Sequence, residues 1–339
     1  MGKMKFLYND TSVRLTGRWD TSDPRFAEAT ATGSYIELCF EGDMACLMFD
    51  ISANLAPMPH IWIQIDGGAS VSAPIDAYIP INVKKYGKHT VRVIYKSSIE
   101  AYSRWYSPRH GKISFIGYCA DKALPIEPDT RPIIEFVGDS ITEGVLTDAD
   151  YFGGQKPYYE IDQMNRVHQD DVCATYAWLI AERLNMRPIF MGYGAVGVTR
   201  VGAGKVPAAP FSYPYNFDGS PISRGDGCAD PSVIMINHGA NDRGATAEKY
   251  VSDYGMLIDE IRRLNPNATV VALSAFCGAH HVELGEFIEK YNAEHGCKVH
   301  YIDTFGWIPV TPLHPLRDGH RIVADNTVPK LEKILKGEI

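Results

Sequence analysis

The chain has 339 residues, 45% hydrophobic and 22% charged, long enough for two cores in an ordinary soluble protein. Its formal charge of −8, with no concentrated basic patch, argues against a nucleic-acid partner, which would need a cluster of Lys and Arg to meet phosphate. The segment Met1 to Asp10 shows neither a signal-peptide pattern nor a membrane span, and seven cysteines without a Cys-x-x-Cys pair read as reduced thiols, so the cytoplasm is the expected compartment.

In chain order, the runs Tyr35 to Phe40, Ala45 to Ile51, Ile61 to Ile65, Ile79 to Val83, His89 to Tyr95 and Lys112 to Tyr118 are short, β-rich and separated by turn residues. With no helical stretch between them, they predict an antiparallel β-sandwich, jelly-roll-like, over residues 1–121. Residues 122–132 carry Pro125, Pro128 and Pro132 and predict a short, stiff linker. From residue 133 the pattern changes. Strand-like Ile133 to Val137, Ile189 to Met191, Val233 to Ile236 and Val299 to Asp303 alternate with helical Cys173 to Leu184, Ala247 to Leu264 and Glu283 to His295, and the tail after His320 is again helical. That alternation predicts an α/β domain over residues 133–339, a three-layer α/β/α arrangement.

Chemistry gathers at the ends of these strands. Gly138-Asp139-Ser140-Ile141-Thr142-Glu143-Gly144 follows a buried strand directly, which turns Ser140 out at the edge where open α/β sheets carry their sites, although Ser140 and Glu143 would equally suit a helix capping box. Asn241 comes just after the strand-like Val233 to Ile236, within Gly239-Ala240-Asn241-Asp242, where its amide could donate to a developing oxyanion. His314, in a loop before the closing helix, is available as a general base.

Four blocks in order, Gly138-Asp139-Ser140, Gly194-Ala195-Val196-Gly197, Gly239-Ala240-Asn241-Asp242 and His314-Pro315 with Gly319-His320, resemble those of the SGNH, or GDSL-like, hydrolase superfamily. The resemblance spans Ile133 to the C-terminus. It implies Ser140 as nucleophile, His314 as general base, and an oxyanion hole from the Ser140 and Gly197 backbone N–H groups with the Asn241 amide. A β-sandwich ahead of such a domain, and Gly17-Arg18-Trp19-Asp20 near the start, resemble the family two carbohydrate esterases, which remove acetyl groups from plant-polysaccharide sugars such as xylan and mannan. One position departs from the family pattern: Thr311 stands where an aspartate three residues before the histidine would orient its ring. Asp303, Asp318 or a backbone carbonyl are the substitutes considered, the last leaving a Ser140–His314 dyad.

Trp307 is assigned to the site wall, Asp139 and Tyr151 are its other substrate-side candidates, and the structural and substrate readings of Arg200 stay open. His280 and His281 are read as solvent-facing, since adjacent histidines fit no standard zinc spacing, and no metal or cofactor is expected. His238 is read as a satisfied strand-end residue, and His320 as starting the last helix and bracing the loop. The expected substrate is an acetylated oligosaccharide or another small ester, with no nucleic-acid or membrane partner, and homo-oligomerisation is left open. Two other readings are kept: a lipase-like or thioesterase enzyme, which would want a long apolar groove, and a glycan-binding protein with a degenerate hydrolase domain, for which Thr311 is the one supporting residue.

Overall fold

The computed structural model describes residues 3–149, 166–223 and 230–339. Its first part is an antiparallel sheet of nine strands: Met4–Leu7 (β1), Val13–Thr16 (β2), Ala27–Ala29 (β3), Tyr35–Phe49 (β4), His60–Ile65 (β5), Ser70–Pro74 (β6), Tyr78–Ser97 (β7), Ile113–Ala120 (β8) and Lys122–Ala123 (β9). The main path runs β1-β8-β4-β7-β5-β6, with β2 and β9 on β4 and β3 on β8. Two pairs of predicted strands are each one long strand. The turn-like residues around Gly42 and Gly87 do not reverse the chain: the two glycines face each other in the β4–β7 ladder, and the register shifts between Gly42 and Met44. Glycine inside a strand marks a bend as readily as a turn.

The segment expected to link the two parts begins as β9 on β4, and the Leu124 and Ile126 N–H groups then donate to the Cys39 and Thr11 carbonyls. It is laid along the antiparallel sheet.

The second part comprises Ile133–Gly138 (β10), Ser140–Glu143 (α1), Arg166–Gln169 (α2), Tyr176–Arg183 (α3), Arg187–Gly192 (β11), Ala209–Ser212 (α4), the short pair Tyr215–Phe217 (β12) and Ser220–Pro221 (β13), Val233–Asn237 (β14), Ala247–Leu264 (α5), Thr269–Leu273 (β15), His281–His295 (α6), Val299–Ile302 (β16) and Arg317–Leu335 (α7). The helix predicted from Cys173 is divided: Asp171 caps a single 3-10 turn, and Thr175 then restarts the chain by accepting the Trp178 N–H at 3.2 Å. Strands β11-β10-β14-β15-β16 form a parallel sheet. Side chains alternate across it. Ile134, Phe136, Val233, Met235, Val271 and Leu273 pack with Trp178, Ile180, Val323 and Leu331 of α3 and α7. Val137, Ile234, Ile236, Val270 and Ala272 pack with Leu257, Ile258, Leu284 and Ile288 of α5 and α6. Both faces of the sheet are therefore covered, which is why its strands read as unbroken apolar runs.

The strand order reverses at β10, which lies between β11 and β14. Such a switch point opens a crevice beyond the carboxyl ends of the strands, and residues 138–144 emerge there.

The two parts share buried charges. Arg18, from the first, pairs with Glu135 of β10 at 2.8 Å, and Glu135 also accepts from the Tyr213 hydroxyl at 2.9 Å. A carboxylate in the middle of a buried strand needs such partners. Among the described residues, no helix is long and apolar enough to cross a membrane.

Candidate active site

The turn after β10 is held from several sides. The Asp139 carboxylate accepts the Ile141 N–H at 2.9 Å and caps α1. Gly144 closes that helix at φ +94°, a conformation that favours glycine, with the Asp171 backbone where a Cβ would stand. Ser140 is left 4% exposed. Its backbone N–H lies in the first turn of α1, where no intrahelical carbonyl can take it.

His314 reaches Ser140 from the loop before α7, with Ser140 Oγ and His314 Nε2 2.9 Å apart. Burial pushes the imidazole down to about 4; among charges, Glu100 opposes that shift and Arg166 and Arg243 add to it. The ring is therefore neutral at pH 7, the form that can accept a proton. Arg317 fixes the loop by pairing with Asp148 and, at 2.9 Å, with Asp171. His320, buried in α7, accepts the Tyr176 N–H at 3.0 Å, which ties the last helix to α3.

Asn241 stands beyond β14, the strand next to β10. Its amide nitrogen donates to Asp139 Oδ2 at 3.2 Å and to the Val196 carbonyl at 3.1 Å. The Gly197 N–H donates to the Arg200 carbonyl at 3.2 Å. Two of the donors expected at an oxyanion hole are thus engaged by internal acceptors, in long bonds of the kind that tighten or exchange when substrate arrives. Asp139 is fully buried and serves α1 and Asn241, not the substrate side to which the sequence assigned it; burial pushes its carboxyl up to about 7, with further raising from Asp242 and Glu100.

Asp242, absent from the sequence assignment, binds the glycine loop to β14. Its carboxylate accepts the Val198 N–H at 3.2 Å, the Thr199 N–H at 2.9 Å and the Thr199 hydroxyl at 2.6 Å. A Cβ at Gly197 would collide with that carboxylate, which accounts for the glycine. The signal was adjacency to Asn241 alone.

Other expectations are corrected. Asp303 is half exposed and takes up the Ser274 hydroxyl at 2.9 Å, the Phe305 N–H at 3.0 Å and His281 at 3.3 Å. It follows β16, three strand positions from β10, and at ~4.8 Å per strand that is roughly 14 Å across the sheet. Asp318 is 82% exposed and pairs with Arg321. Thr311 is exposed. His280 is not solvent-facing: its ring stacks on Tyr250 and its Nε2 meets the Asp242 carbonyl at 3.0 Å. Trp307 is half-buried against the core of α3 and α7, so packing accounts for much of it. Tyr151 lies outside the described residues. Among the described residues, no group of three or more His, Cys, Asp or Glu side chains could hold a metal.

Over 274 residues the chain is 26% identical to the Cellulase/esterase CelE of Acetivibrio thermocellus, covering 77% of this chain but 31% of that protein's length. The chain thus spans about a third of that relative. The fold is similar to that of a family two carbohydrate esterase from Cellvibrio japonicus, with a TM-score of 0.81, 19% identity and 98% of both chains covered. It is also similar to that of the acetyl xylan esterase Est2A from the rumen bacterium Butyrivibrio proteoclasticus, with a TM-score of 0.79, 18% identity and 99% of both chains covered. A family two carbohydrate esterase from Clostridium thermocellum in complex with cellohexaose gives a TM-score of 0.76 at 20% identity, over 96% of this chain and 99% of that one. The sequence pattern of the GDSL-like Lipase/Acylhydrolase family matches residues 136–322, which hold Ser140, Gly197, Asn241 and His314, and the chain belongs to that family.

Proposed function

We propose that the protein is a serine esterase that removes acetyl groups from acetylated sugars or oligosaccharides. The observation that carries this reading is the 2.9 Å contact between Ser140 Oγ and His314 Nε2. A serine hydroxyl is a weak nucleophile until an adjacent base takes its proton.

In acylation, Ser140 Oγ attacks the acetyl carbonyl carbon as its proton passes to His314 Nε2. The carbonyl oxygen becomes an oxyanion, held by the Ser140 N–H with the Gly197 N–H and the Asn241 amide once these leave Arg200 and Val196. The bond to the sugar oxygen then breaks, that oxygen takes the proton from the imidazolium, and acetyl-Ser140 remains. Water gives its proton to His314, attacks the acetyl carbonyl and releases acetate, and Ser140 recovers its proton. The choice of an acetylated sugar draws support from the relatives, which include carbohydrate esterases, one an acetyl xylan esterase and one solved with cellohexaose bound.

The test is turnover of p-nitrophenyl acetate, butyrate and octanoate, alongside acetate release from acetylated xylan and mannan. Steep loss from acetate to butyrate and release from the polysaccharides support the reading. Equal rates on octanoate would overturn it in favour of a lipase-like enzyme.

A further inference from the structure

The connection between β7 and β8 leaves the antiparallel sheet and packs against α1 and the segment after β11, carrying charges in with it. Glu100 and Arg104 lie on this connection and are both buried. Arg104 pairs with Glu143 of α1, three residues after the nucleophile. The Glu100 carboxylate pairs with Arg166 Nη2 at 3.1 Å, and the Arg166 Nε in turn lies 3.4 Å from Asp170. Glu100 also packs against Gly194: its Cγ, Cδ and Oε1 occupy the space that a Cβ at position 194 would need.

Gly194 opens the loop that continues through Val196 to Gly197. The Gly194 carbonyl is fixed by the Ala203 N–H at 2.8 Å, and the Val196 carbonyl holds the Asn241 amide at 3.1 Å. A physical chain thus runs from Glu100 through the glycine loop to the resting position of an oxyanion donor. The catalytic part, with Thr311 at the family aspartate's position, draws a buried carboxylate from the other half of the molecule.

We propose that the antiparallel domain is part of the catalytic apparatus: Glu100 is a positioning residue that braces the glycine loop and supplies the buried negative charge against which the His314 imidazolium forms. The proposal rests on the Ser140 and His314 reading. Other titratable and charged groups facing this region are Arg166 in α2 and Asp170 just after it, Asp139 and Glu143 at α1, Arg243 after β14 and His320 in α7. Arg166 and Arg243 disfavour the imidazolium, and Glu100 is the largest charge favouring it. Removing the carboxylate alone leaves the Arg166 charge less compensated. Removing the Arg166 charge does the opposite.

The test uses the full chain and p-nitrophenyl acetate, with kcat and KM measured from pH 3.5 to 8 and thermal unfolding followed on each variant. Glu100→Gln keeps the shape against Gly194 and removes the charge. It should lower kcat by about tenfold or more with KM within about twofold, and move the acid limb of kcat/KM down by about half a pH unit. Arg166→Gln should move that limb up by a similar amount, about half a unit. Shifts of opposite sign are not produced by loss of structure. A Glu100→Gln enzyme with unchanged kcat, or an acid limb that stays fixed in both variants, overturns the proposal. Where Glu100→Gln fails to fold, the Arg166→Gln arm decides: an upward shift supports the proposal and a fixed limb overturns it. Ser140→Ala is run in parallel. If it is inactive while Glu100→Gln is unaffected, this proposal alone falls; if it is active, both readings fall.

Discussion

The Asn241 amide nitrogen lies 3.2 Å from the carboxylate of Asp139, the residue that also caps α1, the helix that begins at Ser140. One side chain therefore sets the position of the serine and of a predicted oxyanion donor together. Asp139→Ala should cost about 1 kcal/mol in the cap. It should also lower kcat by roughly ten- to a hundredfold as Asn241 loses one of its two anchors. Asp139→Asn, which can still cap, should keep the urea midpoint of the wild type and recover most of the activity. Equal loss in both variants would separate the cap from catalysis.

The pH profile follows from the half-buried histidine beside Ser140. Because the His314 pKa is depressed to about 4, the neutral base is present above that value and is lost as pH falls through it. kcat/KM should therefore hold from pH 7 down to about 5, where an ordinary histidine of pKa near 6.5 would be almost entirely protonated. Initial rates with p-nitrophenyl acetate, measured at a pH-independent isosbestic wavelength, check this. An acid limb near 6.5 would show that solvent reaches the ring.

Asp303→Asn should change turnover by less than about threefold, since its carboxylate serves Ser274, Phe305 and His281. Thr311→Ala, at an exposed position, should do the same to within about tenfold, or ~1.4 kcal/mol. A drop of several hundredfold in Asp303→Asn, with the fold intact, would mean that the loop rearranges in the working enzyme.

Arg18→Met removes the Arg18 guanidinium from the Glu135 carboxylate, fully buried in β10, and should cost ~3–5 kcal/mol. Arg18→Met with Glu135→Met should recover much of that loss, because packed apolar chains replace buried ion pairs at little cost. Denaturant unfolding of the two variants checks the difference.

The candidate site was legible in the sequence where chemistry follows a strand without interruption. Ser140 and Asn241 come within a few residues of buried strands that turn out to be neighbours, β10 and β14, and strand ends fix where the next residues emerge. His314 was found through its block, because nothing in its spacing from β16 says that the loop swings back over the sheet. Asp303 misled for the same reason: it also follows a strand, but that strand is at the sheet edge, and a sequence does not print strand order. Glu100, Arg104 and Arg166 left no local signal. Their role depends on two distant segments meeting, and before folding they are charged residues like any other. In the fold, β4 and β7 were each read as two strands because glycines that bend a ladder resemble glycines that end one.

The charges shared between the two halves also bear on how the chain is made. Arg18, Lys96, Glu100 and Arg104 leave the ribosome well before their later partners: Glu135 for Arg18, Glu143 for Arg104, the Val167 and Asp170 carbonyls for Lys96, and Arg166 for Glu100. Until those arrive, the nascent antiparallel sheet must keep these ions wet, and its inner surface cannot close. The first half is thus completed by the second, and calorimetry of the finished chain should show one cooperative transition instead of two.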